Sequence, residues 1–218
     1  MAVEHAPTNR RGLFGAYPQI GVPVGLILAT TVLLGLSTVL SEEQFLSWGW
    51  RVPFVISVFL IIVGYIIRQA VEESPVFKKM LTRKKDSHTP LADLMKRNWK
   101  EVILTALIFI GINAGGYMMI AFFIPYASGT LEMSRTSVLW AVLAGSVSWF
   151  AFTLYGGSWS DRIGRRKVFQ IGYILLIVWM IPMFLLIDTA NILLFTLALR
   201  VMNVGLGRSY GPMPAMYA

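Results

Sequence analysis

The stretch IGVPVGLILATTVLLGLSTVL, Ile20–Leu40, runs for 21 residues without a charge. A helix needs about 20 mostly apolar residues to cross a hydrocarbon core about 30 Å thick. The run therefore predicts a membrane-spanning helix. It is too long for the apolar region of a signal peptide, which has about 7–15 residues. No small-residue cleavage site leads into a soluble domain, and more runs of the same kind follow. They are Val52–Ile67, Val102–Tyr126, Val138–Trp159, Val168–Ile187 and Ile192–Ala218. Barrel strands would be about 10 residues long with alternating polarity. These runs are longer and apolar on all faces, so the expected fold is an all-α membrane protein with six transmembrane helices.

Composition agrees with that reading. Of the 218 residues, 56% are hydrophobic and 14% charged, against about 25% charged in a soluble domain. This excludes a soluble globular domain, a disordered chain and a nucleic-acid-binding module. The absence of cysteine excludes disulfides, thiolate zinc sites and a cysteine nucleophile. The two histidines, His5 and His88, both lie in polar stretches. No metal and no cofactor is expected.

The net charge of +8 is a matter of placement. Arg10 and Arg11 precede the first run. Nine basic residues lie in 68–101, and four, Arg162, Arg165, Arg166 and Lys167, follow the fourth run. The alternate loops hold only Arg51 and Arg135. Cytoplasmic loops keep Lys and Arg, so the N-terminus and the long loop are expected in the cytoplasm. The charge thus marks topology, not nucleic-acid binding. Trp48 and Trp50 fall at an outer edge, and Trp99 and Trp159 at inner edges, as amphipathic rings should. Trp149 and Trp179 lie mid-span and read as packing residues.

The segment 68–101 divides two runs from four. Thr89 reads as an N-cap, Pro90 as a first helical residue and Asp93 as a first-turn acid. A short interfacial helix and an unstructured linker are both compatible with this pattern.

The loop after the fourth run reads Gly157-Ser-Trp-Ser-Asp161-Arg162-Ile-Gly164-Arg165-Arg166-Lys167. Gly157 would let two helices approach closely, and Gly164 would allow a turn with positive φ. Asp161, at a helix end, can pair with an arginine or with a neighbouring helix N-terminus.

This loop resembles the G-x-x-x-D-R-x-G-R-R-K signature of the major facilitator superfamily at every signature position. Three further stretches narrow the resemblance. Glu4 to Gly12, with Pro7, Arg10 and Arg11, is similar to the segment between helices four and five. Trp48-Gly49-Trp50-Arg51-Val52-Pro53-Phe54 is similar to the entry to helix six, and Glu73-Ser74-Pro75-Val76-Phe77 to its exit. Together they resemble the metabolite–proton symporters, the family of the shikimate, 2-oxoglutarate, citrate and proline/betaine carriers.

The resemblance implies a twelve-helix fold in two bundles, of which this chain matches helices five to ten. Residues 1–67 would be the last two helices of the N-terminal bundle. Residues 68–101 would be the cytoplasmic central loop, and 102–218 the first four helices of the C-terminal bundle. A natural half-carrier would be cut within the central loop. This chain straddles it, so a truncated piece of a larger carrier is expected.

It further implies a secondary transporter of a small polar metabolite, an organic acid or zwitterion, working by proton-coupled symport and alternating access in a bacterial inner membrane. Its partners would be that small-molecule substrate, the proton and the lipid bilayer, and the full-length relative would act as a monomer. No enzymatic constellation lies in the spans. The alternative is a membrane receptor or interaction subunit of the same fold that moves nothing. Gly157, Asp161, Arg162, Gly164, Arg165, Arg166 and Lys167 form the expected cytoplasmic gate.

Polar residues within spans are costly and so mark candidate substrate paths. Arg200, Asn203, Gly207 and Tyr210 share one helical face of the sixth run, and Arg208 is turned well away from Asn203. Each arginine is either a substrate contact or, for Arg208, a side chain snorkelling to the interface and, for Arg200, the partner of a polar group elsewhere. Asn113 and Tyr117 share a face of the third run. The resemblance places that helix at the central cavity, and interhelical hydrogen bonding is the other role open to them. Pro182 and Gly211-Pro212 read as kinks. The runs hold no Asp or Glu, so the proton-carrying acids would lie on other helices.

Overall fold

The computed structural model describes residues 6–7, 9–70 and 95–217. Among them all regular structure is helical. Six helical segments are long and apolar enough to cross a membrane: Arg11–Val39, Gly49–Gln69, Trp99–Thr130, Arg135–Ile163, Arg165–Ile187 and Ile192–Met216. We call them the first to sixth spans. Each expected run falls within or largely within one of them.

The first span starts well before its apolar run. It is built from two helices, Arg11–Gln19 and Gly21–Val39. The first of these has too little apolar character to be read as membrane-spanning. Its small residues Gly12, Gly15 and Ala16 are buried, and Gly12 and Ala16 pack against the fourth span at Gly157. A short helix, Glu42–Ser47, fills the loop that follows. Ser41 and Gln44 close a reciprocal capping box there, which satisfies two otherwise orphaned amides. The second span's helix continues to Ala70 and the third begins at Trp99, so the central segment is shorter than 68–101. The short helix expected from Pro90 lies mostly outside the described residues. So does the Glu73–Phe77 motif.

In the third span the helix widens into π-turns at Met118–Phe122 and Tyr126–Thr130, around a single turn Phe123–Pro125. Pro125 has no amide hydrogen, and its ring crowds the carbonyl four residues back. A wide turn on each side accommodates this. The fifth span runs through Pro182 as one helix, whereas Gly211-Pro212 ends the helix Ile192–Tyr210 and starts the short helix Met213–Tyr217.

The core lies among the last four spans. Ile112, Met119, Phe123, Val142, Trp149, Leu199 and Leu206 are fully or almost fully buried in it. The fourth span is the hub, with the sixth packed on one side and the first on another. The second span keeps a largely exposed apolar surface from Phe54 to Ile67.

Candidate functional site

Two regions gather the candidate residues. One is the end of the molecule that carries Arg10, Arg162 and Arg165–Lys167, called here the basic end. The other is the interior face of the sixth span.

At the basic end the first span begins. Its first amides have no partner within the helix, as at any helix N-terminus. Two of them are taken by Asp161 from the far end of the fourth span. The Gly12 amide donates to Oδ1 at 2.7 Å and the Leu13 amide to Oδ2 at 3.0 Å. The carboxylate also meets the positive end of the helix dipole. Of the partners open to Asp161, the structure selects the helix N-terminus. The approach is at backbone level. A Cβ on Gly157 would lie 2.6 Å from the Ala16 Cβ and 2.8 Å from the Gly12 carbonyl oxygen. A Cβ on Gly12 would lie 2.6 Å from the Gly157 carbonyl oxygen. Ser160, buried here, closes on the Gly157 carbonyl. A polar recess of about 340 Å³ opens beside the contact, lined by Asn9, Arg10, Leu13, Ser158, Asp161 and Arg162.

Gly164 takes φ +98°, where a side chain would be strained, and turns the fourth helix directly into the fifth. Arg165 donates to the Ala215 carbonyl and so ties the start of the fifth span to the short helix at the end of the sixth. Arg162, Arg166 and Lys167 are exposed.

On the sixth span, Asn203 is fully buried. Its Nδ2 donates to the Leu199 carbonyl at 2.8 Å and to the Met119 sulfur at 3.3 Å, while Oδ1 is buried without a donor. One face of Trp149 meets Tyr210 edge-on, with centroids 5.8 Å apart. The indole N–H of Trp149 is buried without an acceptor. A buried donor and a buried acceptor are thus both unmet where the third, fourth and sixth spans converge. Such groups are expensive to leave unpaired, and more so where water is excluded.

Sequence reasoning assigned Trp149 to packing. The signal that could have raised it is general: a tryptophan at mid-span brings an N–H that needs a partner. By contrast, Trp179 donates its indole N–H to the Ala198 carbonyl at 3.1 Å, a purely structural bond.

The other candidates are dispersed. Arg200 is exposed and reaches Ser148 Oγ at 3.4 Å through Nε. Arg208 turns to the opposite side of the helix from Asn203, among Phe152, Tyr155 and Trp159. Asn113 donates to the Phe109 carbonyl at 2.8 Å, within its own helix, and no interhelical bond of its side chain is present among the described residues. Tyr117 is exposed and lines a shallow recess with Ala114, Met118, Phe122 and Phe184.

A multi-pass helical membrane protein, with a carboxylate at one helix end clasping the start of a distant span, is the class these features define. The family model described as "Major Facilitator Superfamily" matches residues 1–218, and the chain belongs to that superfamily. It is 33% identical to the inner membrane metabolite transport protein YhjE of Escherichia coli (strain K12), covering 99% of this chain and 50% of that protein. It is 31% identical to a proline/betaine transporter of the same strain, over 98% of this chain and 45% of the relative. A putative metabolite transport protein of Haemophilus influenzae is also 31% identical, over 98% and 50%. The chain therefore spans about half the length of the curated relatives it matches. No solved structure matches it.

Proposed function

We propose that this chain is part of a secondary carrier for a small polar metabolite, an organic acid or zwitterion, driven by proton symport. The first two spans belong to one bundle and the last four to the other. The basic end faces the cytoplasm, and the two bundles rock about a substrate held between them. The observation that carries this reading is the clasp of Asp161 on the Gly12 and Leu13 amides. It joins residues 148 and 149 positions apart in the chain. It uses two hydrogen bonds and a helix dipole, all of which can break and reform without covalent change. On this reading the contact closes one end of the carrier and is released when that end opens. The relatives' printed names, metabolite transport and proline/betaine transport, support the same class of solute.

On this reading the unmet Asn203 Oδ1 and Trp149 N–H belong to the substrate face, with Tyr210 beside them. An acceptor on the sixth span and a donor on the fourth suit a solute that carries both a hydrogen-bearing ammonium or hydroxyl group and a carboxylate. The test is uptake of labelled organic acids and betaines by proteoliposomes holding the whole carrier. Accumulation that collapses on adding a protonophore is expected. Asn203→Leu and Trp149→Phe should each lower uptake at least about tenfold, the order of a lost buried hydrogen bond. Saturable binding of a solute without any accumulation would overturn transport in favour of a receptor.

A further inference from the structure

Arg208 has contacts that neither the basic-end clasp nor the substrate face uses. Its guanidinium carbon lies 5.5 Å from the Phe152 ring centroid, 5.8 Å from Tyr155 and 5.4 Å from Trp159. The three rings line one side of the fourth span, three and four residues apart, and Tyr155 and Trp159 stack on each other at 5.7 Å. Nε of Arg208 is buried without a hydrogen-bond partner. Rings attract a guanidinium through its faces. They accept none of the N–H groups along its edges, and those fit a phosphate or carboxylate in a fork.

Where this group sits decides the anion. Arg208 lies sixteen residues beyond Ile192, about 24 Å along the helix by its rise. That is near the far boundary of a hydrocarbon core about 30 Å thick. Tyr and Trp favour that headgroup level, and Tyr155 is 49% exposed. Leu197, three turns before Arg208 on the same side of the helix, is 47% exposed. Among the described residues this side is partly exposed, and it lies away from Asn203. Arg162, Arg166 and Lys167 stand exposed at the same end of the molecule, while the one acid of that loop, Asp161, is occupied by backbone amides.

We infer that Arg208, held among Phe152, Tyr155 and Trp159, is a binding site for the phosphate of an anionic phospholipid in the leaflet at the basic end. The rings fix the guanidinium and cover its faces. The headgroup phosphate takes its free edges, and the surrounding lysine and arginine residues favour an anionic lipid over a zwitterionic one. The inference does not depend on which solute is carried.

The experiment is native mass spectrometry of the whole carrier released from bilayers of phosphatidylglycerol or phosphatidylcholine. The unaltered protein should retain phosphatidylglycerol several-fold more than phosphatidylcholine. Arg208→Gln should bring retention down to the phosphatidylcholine level, Arg208→Lys should keep part of it, and Tyr155→Leu should weaken it by a smaller factor. Equal retention of the two lipids by the unaltered protein would overturn the inference with no variant needed. So would unchanged retention in Arg208→Gln. Displacement of the lipid by millimolar inorganic phosphate would assign the site to a soluble anion instead. Loss of solute binding in Arg208→Gln with lipid retention intact would move Arg208 into the substrate path.

Discussion

The fourth span is met at both ends by the chain that precedes the second span, by the first span at the basic end and by the helix Glu42–Ser47 at the other, and the two contacts are built differently. At the basic end the backbones touch through Gly12 and Gly157, and Asp161 holds two amides. At the other end side chains meet. Arg135 lies over the Phe45 ring, 4.6 Å from its centroid. Beside them remains a cavity of about 300 Å³, lined in part by Leu33, Ser37, Leu40, Glu42 and Thr136. The first contact excludes every atom larger than a glycine hydrogen. A recess of similar size, about 340 Å³, opens beside the first, so the two ends differ in the contact itself and not in the space beside it. Glycine-mediated contact is all-or-none, because no side chain can give way. A cation over a ring weakens gradually with distance. On the carrier reading, the basic end is a seal and the opposite end is an adjustable gate.

Adding bulk to the seal should have the largest effect. Gly157→Leu puts carbon where the Ala16 Cβ and the Gly12 carbonyl already are. Overpacking of this kind costs about 1–3 kcal/mol or more when backbone must move. The whole carrier should lose at least about tenfold in uptake. These 218 residues contain no cysteine, and in a carrier with any other cysteine replaced, a cysteine at Leu13 can report access. It should react faster with a water-soluble maleimide in the Gly157→Leu background. An unchanged labelling rate would mean that the seal does not depend on this contact.

How far that contact was legible follows from its chemistry. A loop with Gly157, Asp161 and Gly164 in place limits the choices to an arginine or a helix N-terminus for the carboxylate. The sequence could not say which, because the answer depends on where another span starts. That start was itself misjudged. Hydropathy puts the first span at Ile20, while the helix begins at Arg11, since burial of Gly12, Gly15 and Ala16 overrides their poor apolar signal. The apolar runs were legible because a helix that crosses hydrocarbon must be mostly apolar over about 20 residues. The unmet atoms of Trp149 and Asn203, and the rings around Arg208, depend on the rotation of one helix against the next, which local pattern does not encode. The capping box at Ser41 and Gln44 has a spacing that sequence alone encodes.

The next effect in size concerns Asp161. A hydrogen bond to a charged group contributes about 1.5–3 kcal/mol, and the helix dipole adds about 0.3–1 kcal/mol near the surface. Asp161→Ala should therefore shift the basic end toward its open form by roughly tenfold or more, at 1.4 kcal/mol per factor of ten. Asp161→Asn keeps an acceptor for one amide and loses the charge, so it should fall between Ala and the unaltered protein. Labelling at the Leu13 cysteine again reads the shift. Asn and Ala variants that behave alike would show that the carboxylate charge, not its geometry, sets the closure.

The smallest effect is expected at the opposite end, and it needs a double-mutant cycle to resolve. A cation–π pair contributes about 0.5–1 kcal/mol where it is exposed to solvent. Arg135 is exposed and Phe45 is buried, so the pair is partly screened. Arg135→Ala and Phe45→Leu should each ease opening at that end by about two- to fivefold, within the range that energy allows. The double variant should cost less than the sum of the two, because each single change already removes the shared contact. Accessibility of a cysteine at Ser37, on the cavity wall, measures the opening. Strict additivity would mean that Arg135 and Phe45 act separately, Phe45 through its burial and Arg135 through the field at the cavity mouth. The asymmetry between the two ends would then rest on packing alone, since no specific contact would remain to hold the far end shut.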